Sequence, residues 1–179
     1  MSAMLKSYNG ITPTLAKGVF VEASAVLYGD ITLGLDASVW PLVVARGDVN
    51  FIRLGARTNV QDGSILHVTR PSEALPKGLP LIIGDDVTIG HKAMLHACTI
   101  GNRVLIGMGT IVLDGAVIED DVIVGAGSLV PPGKTLVSGY LYVGSPVKQA
   151  RALTAAEKAF LPESAANYVR LKNEYLNSL

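Results

Sequence analysis

Between residues 100 and 130 an aliphatic side chain returns at every sixth position: Ile100, Ile106, Val112, Ile118, Val124 and Val130. Four residues beyond each stands Val104, Thr110, Ala116, Val122, Ser128 or Lys134, mostly small or β-branched. The same beat runs earlier through Val21, Leu27, Leu33, Val39 and Ala45, then Leu54, Val60 and Leu66, then Ile83, Ile89 and Leu95. A period of six fits neither a helical face at 3.6 residues nor a sandwich whose strands recur every 8–12. It suits short strands turned every six residues, with three flat faces closing a coil of eighteen. The pattern therefore predicts a mainly β chain wound as a parallel β-helix, its aliphatic residues pointing into the prism. Successive coils would lie ~4.8 Å apart. An open Ile/Val-rich sheet would not keep this register for six consecutive units. Gly101, Gly107 and Gly125 follow the aliphatic position, where Gly or Asn is expected to ease corners that need positive φ.

Three breaks interrupt the beat. Ala45 to Leu54 is nine residues, an insertion of three. Leu66 to Ile83 is seventeen, so eleven extra residues bulge around Arg70-Pro71-Ser72-Glu73 to Pro80. Leu95 to Ile100 is five, a slip of one. Insertions in a solenoid tend to gather on a functional face. After the prism, Gly144-Ser145-Pro146 marks an exit turn, and Thr154-Ala-Ala-Glu157 has the capping-box form. A second helical run is expected after Pro162, with Ala165, Tyr168, Leu171, Tyr175 and Leu179 as its apolar stripe packed on the prism or a neighbour. The expectation is a single domain over 1–179, with the β-helix at about 15–146 and a C-terminal α-helical segment at 154–179.

Composition narrows the function classes. Lys+Arg and Asp+Glu are 15 each, so net charge gives no reason to expect nucleic acid. No apolar run approaches the ~20 residues of a membrane span, and the start lacks the apolar core of a signal peptide. A lone Cys98 excludes an intrachain disulfide framework and fits a reducing, cytoplasmic setting; a packed thiol is expected there.

The chain's three histidines, His67, His91 and His96, fall within thirty residues. His67 follows Leu66 and His96 follows Leu95, so both hold the second place of their hexads. Their separation of 29, less the eleven-residue bulge, is 18, or one full coil. They should stand one above the other, with Arg46 beneath. His91, one coil above Asp62, belongs to the preceding face and should not join the other two within one rigid prism. In a threefold assembly, His91 of one subunit could complete a metal site with His67 and His96 of another. Asp62 would then approach Arg46 across the seam. Arg46-Gly47-Asp48 as an adhesion motif fits poorly with a neutral chain lacking an export signal. A purely structural interface network of Arg46 and Asp48 is the serious alternative.

Arg46-Gly-Asp48, Asn59-Val-Gln61-Asp62, His67 and the His91-x4-His96 pair resemble the γ-class carbonic anhydrases and their bacterial homologues, within the hexapeptide-repeat proteins. The resemblance covers roughly residues 15 to 146. It implies left-handed coils, a homotrimer, and zinc (or iron or cobalt) held between subunits by His67, His91 and His96. It further implies reversible hydration of CO2 to bicarbonate by a metal-bound hydroxide. In that scheme Gln61 orients the hydroxide, Arg46 holds bicarbonate, and Asp48 and Asp62 steady Arg46. Tyr168 on the C-terminal helix is a further candidate contact for the metal ligand. The acidic proton-export loop of the archaeal branch has no counterpart here: Val49 follows Asp48, Arg70 stands three after His67, and the bulge holds only Glu73 as an acid. Hydration is therefore expected to be slow or latent. The competing classes are an acyl-CoA transferase or thioesterase on the same prism, and a metal-binding trimer without turnover.

Overall fold

In a computed structural model, described over residues 4–178, the hexads become a parallel β-solenoid of about eight turns followed by a single helix. The six periodic residues from Ile100 to Val130 are all at 0–1 % exposure, so the period of six is an inward-pointing column. Of the residues four places later, Val104, Thr110, Ala116, Val122 and Ser128 are buried and Lys134 is exposed. Neighbouring coils pair in parallel, as in Leu105↔Ile123 and Ile106↔Val124, and the three-residue insertion shifts the register of the long strands between Gly29 and Ile31. Each coil carries its three short strands on three faces. The strands Val26–Leu33 and Val44–Leu54 run unbroken round one corner and join two of those faces. Pairing begins earlier than about residue 15, since Met4–Lys6 lies along Val26–Tyr28.

The corners use glycine differently from the expectation. Gly101 and Gly107 have ordinary φ; a Cβ on them would meet the next coil's backbone, 2.8 Å from Asp120 N and 2.5 Å from Ala126 N respectively. Close stacking of turns, rather than backbone handedness, is what excludes a side chain there. The left-handed residue comes two places later, and is as often charged as glycine: Asp36, Arg57, Asp86, Arg103 and Asp121 all have φ between 52° and 59°. These alternate in sign along one corner, with Arg57 Nε 2.6 Å from Asp86 Oδ1 and Arg103 Nε 2.7 Å from Asp121 Oδ1.

The breaks in the beat meet in space. Asn50, in the three-residue insertion, donates from Nδ2 to the carbonyls of Thr69 (3.2 Å) and Lys77 (2.9 Å), pinning the long bulge to the prism. The one-residue slip puts Ala97 at φ 49° and turns Cys98 inward, where burial pushes its thiol up to about 12.

Gly144-Ser145-Pro146 is the turn of an antiparallel hairpin, Tyr140–Gly144 with Val147–Ala152, which closes the top of one face. The capping box forms: Glu157 N donates to Thr154 Oγ1 (3.2 Å) and Thr154 N donates to Glu157 Oε2 (2.8 Å). Instead of two runs, one helix spans Ala155–Ser178 with Pro162 inside it. Packing against the prism outweighs the local cost of the proline, which is ~3 kcal/mol in an unsupported helix. Its buried face is Leu161, Ser164, Ala165 and Lys172, while Leu171 is exposed and Leu179 lies outside the described residues. The stripe rotates because Lys172 lays its apolar stem on the prism and pairs with Asp36 (Nζ–Oδ1 2.9 Å). Tyr168 and Tyr175 complete the contact, edge-on to Trp40 at 5.4 and 5.3 Å between centroids. Among the described residues no helix is long and apolar enough to cross a membrane.

Candidate metal centre

His67 and His96 close adjacent strands, Ile65–His67 and Met94–His96, and sit directly opposite each other in the parallel register. The alternation of a strand explains the rest: Leu66 and Leu95 point into the prism, so the histidines on their C-terminal side point out. The rings meet at 5.2 Å between centroids, with His67 Nδ1 3.2 Å from His96 Nε2.

Each outer ring nitrogen is held by a carboxylate. Asp48 Oδ1 lies 3.0 Å from His67 Nε2, and Asp114 Oδ1 lies 2.6 Å from His96 Nδ1. Asp48 also pairs with Arg46, and Asp114 also accepts from the Thr69 hydroxyl. Burial alone would raise the pKa of both acids, but the hydrogen bonds from His67 to Asp48 and from Thr69 and His96 to Asp114, with Arg46 beside Asp48, outweigh it and the net shift is downward. Ionised carboxylates only accept, so each outer nitrogen carries a proton, and in the neutral ring the inner nitrogen is the one with the lone pair. The two inner nitrogens then face each other as lone pairs across 3.2 Å. That gap suits a cation: two nitrogens ~2.0–2.1 Å from one ion at a tetrahedral angle lie ~3.4 Å apart. A proton is the weaker candidate, because burial, with help from Arg46 and His96, pulls the His67 pKa below 6.5 despite Asp48. The donor set thus fits a metal better than it fits an empty pair.

His91 is built the same way, with Nδ1 2.8 Å from Asp62 Oδ2 on the coil below, leaving Nε2 open on an exposed corner. Asp62 is therefore engaged within its own chain. His91 lies at the turn that opens the face His96 ends, with Lys92 at φ 56° and only Met94–His96 as strand between them, so ~16 Å is the most that five residues could span. Among the described residues, no three His, Cys, Asp or Glu side chains of one chain gather in a metal-holding group.

Of the remaining expected site residues, Gln61 is buried beside Asp62 and donates from Nε2 to Asn59 Oδ1 (3.1 Å). Tyr168 belongs to the His91–Asp62 side: burial, and secondarily the negative charge of Asp62, raises its phenol pKa. Asp114 and Thr69 are absent from the sequence analysis: the one-residue slip sets Leu113, not Asp114, level with His96, and Asp114 reaches the ring from one place further along.

The strip beside the paired histidines is apolar. Val44, Ile65, Met94, Ile111 and Leu129 form one outward column through the pairing register. Ile65, Met94 and Ile111 are 45 %, 40 % and 37 % exposed, and Leu42 and Met108 on the adjoining corner are barer still.

The family model described as bacterial transferase hexapeptide (six repeats) matches residues 97–132. Protein YrdA of Escherichia coli is 59 % identical over 99 % of this chain and 96 % of its own length. The carbonic anhydrase of Geobacillus kaustophilus is 40 % identical over 98 % of this chain and 92 % of its own. The mitochondrial γ carbonic anhydrase 1 of Arabidopsis thaliana is 45 % identical over 89 % of this chain, which spans only 58 % of that longer protein. Among solved structures, a hexapeptide transferase family protein from Anaplasma phagocytophilum superposes with a TM-score of 0.89 at 39 % identity, covering 98 % of this chain and 99 % of that one.

Proposed function

The chain belongs to the γ-carbonic-anhydrase-like family of hexapeptide-repeat proteins, and from that premise we propose that it is a metal-dependent, carbonic-anhydrase-like homotrimer that hydrates CO2 reversibly to bicarbonate. The observation that carries the reading is the matched donor set. All three histidines have one nitrogen tied to an aspartate, and His67 and His96 bring their other nitrogens within 3.2 Å of each other.

Because His91 and His96 occupy opposite edges of one face, a threefold ring brings the His91 corner of one copy to the His67–His96 edge of the next. The apolar strip from Ile65 to Ile111 supports such contact, since it would be covered by the neighbouring copy. His67, His91 and His96 would hold Zn2+, Fe2+ or Co2+. A bound divalent cation acts as a Lewis acid that brings the pKa of water toward neutrality. The protein's own residues do the rest. Asp48, Asp62 and Asp114 fix each imidazole tautomer with its lone pair toward the cation. Gln61 offers its carbonyl oxygen to the attacking water, and Arg46, held by Asp48, gives the anionic product a charge partner. Tyr168, packed edge-on against Trp40 and near enough to feel the charge of Asp62, would border that side of the site.

The test is metal analysis together with stopped-flow CO2 hydration after anaerobic loading with each ion, in wild type and His91→Ala. About one metal per chain, lost in His91→Ala while the trimer persists, is expected. Full metal retention in that variant would remove the shared site. No hydration with any ion would leave a metal-binding trimer without turnover.

A second reading, acyl transfer from acyl-CoA, draws on the likeness to the hexapeptide transferase family protein. Acyl-CoA turnover that survives chelation and His91→Ala would favour it.

A further inference from the structure

Gln61 is one end of a buried run of polar side chains whose other end lies on the C-terminal helix. Gln61 Nε2 donates to Asn59 Oδ1 (3.1 Å). Asn59 Nδ2 donates to the Val87 carbonyl (3.3 Å) and to Thr88 Oγ1 (3.2 Å). Thr88 Oγ1 lies 2.9 Å from Ser164 Oγ on the helix. All four residues are 0–7 % exposed, and Asn59, which does not line the neighbouring cleft, has only protein partners for its amide.

The sense of the whole run follows from one backbone atom. The Val87 carbonyl can only accept, so Asn59 must turn its amide nitrogen that way and its carbonyl oxygen toward Gln61. Gln61 must then present Nε2 to Asn59, which leaves Oε1 facing away from it. Both hydrogens of Asn59 Nδ2 are used, so Thr88 accepts one of them and keeps its own proton for Ser164. Val87 alone would leave the second Nδ2 hydrogen to a hydroxyl free to rotate; Ser164 stops that rotation. A serine is otherwise out of place on a helix face whose neighbours are Leu161 and Ala165.

We propose that Ser164 is a positioning residue for Gln61: through Thr88 it holds in place the second acceptor of Asn59, whose sense the Val87 carbonyl sets, so that docking of the C-terminal helix tightens the orientation of the Gln61 carboxamide. Gln61, Thr88 and Ser164 also line one cleft of about 180 Å³, with Met108 and Phe160 among its apolar walls, so the run borders a space that water or substrate can enter. The consequence for catalysis rests on the proposed hydration activity; the coupling does not.

The deciding measurement is the side-chain amide signal of Gln61 in 15N-labelled native protein, with no metal required. Ser164→Ala and Thr88→Val should each displace that signal and speed its hydrogen exchange about fivefold, equivalent to about 1 kcal/mol. The double variant should go no further than either single one. Ser164→Thr, which keeps the hydroxyl, should restore the wild-type signal. Leu161→Val, which loosens the same helix and leaves the hydroxyl in place, should not move it. An unmoved Gln61 signal in both Ser164→Ala and Thr88→Val overturns the proposal, and so does an equal displacement in Leu161→Val. If the loaded wild type hydrates CO2, Ser164→Ala should lower kcat severalfold at constant KM. If it does not, the functional reading fails, and the coupling still stands or falls on the amide signal.

Discussion

Asp114→Asn removes one negative charge and one acceptor from the half-site without changing its shape. Asp114 uses one oxygen for His96 Nδ1, at 2.6 Å, and the other for the Thr69 hydroxyl. An asparagine has one oxygen and one NH2, so it cannot accept from both. If it accepts from Thr69, its NH2 faces His96 Nδ1 and forces the ring proton onto Nε2, the nitrogen that looks at His67. The lone pair needed by a cation is then gone. If it accepts from His96, the tautomer survives but the ring loses the polarising charge, and Thr69 must turn. Removing such an outer carboxylate typically costs 10–100-fold in metal affinity. The Asp114 side chain is 37 % exposed, so solvent screens its charge and the low end applies. The expected loss is about tenfold, or about 1.4 kcal/mol. Competition against a chromogenic chelator at pH 7.5, with the assembly state followed by sedimentation, measures it. Metal affinity within twofold of wild type in both Asp114→Asn and Asp114→Ala would refute the argument that the aspartates set the tautomers.

Three other consequences are open to measurement. Ile111→Arg places a charge in the exposed apolar column and should shift the protein toward monomers by light scattering, with loss of bound metal; an intact loaded trimer would show that the strip is not the seam. Ile106→Ala opens a cavity beneath a fully buried position and should cost about 2–5 kcal/mol in denaturant unfolding, where a cost under 1 kcal/mol would contradict a tightly filled prism. The His67 pKa is depressed below 6.5, so the native imidazole stays neutral where an unfolded one takes up a proton. Its contribution to stability is therefore intact above about pH 6.5 and declines from there as pH falls to the native pKa. Metal affinity should follow on the acid side, losing up to tenfold per pH unit for each imidazole that protonates. An affinity that rises on acidification would exclude imidazole ligands.

Much of this molecule is legible in its sequence alone, because a solenoid translates sequence distance directly into spatial distance. The spacing of six fixes which side chains face inward. The count of eighteen per coil, corrected for the eleven-residue bulge, places His67 against His96 and His91 above Asp62. Periodicity says nothing of what lies between coils or on a free helix, so those features waited for the tertiary structure. Gly101 and Gly107 look like handedness residues in the sequence, yet the neighbouring coil's backbone is what forbids a side chain. Pro162 reads as a boundary, yet the packed helix carries it. Lys172 is not among the residues of the expected apolar stripe, yet it pairs with Asp36 under the helix and turns the buried face. Ser164 is an ordinary helical serine until Thr88 is found beside it. Hydrophobic phase is a property of the chain alone, and the direction of a hydrogen bond between distant side chains belongs to the pair, so it exists only once folding has brought both members together.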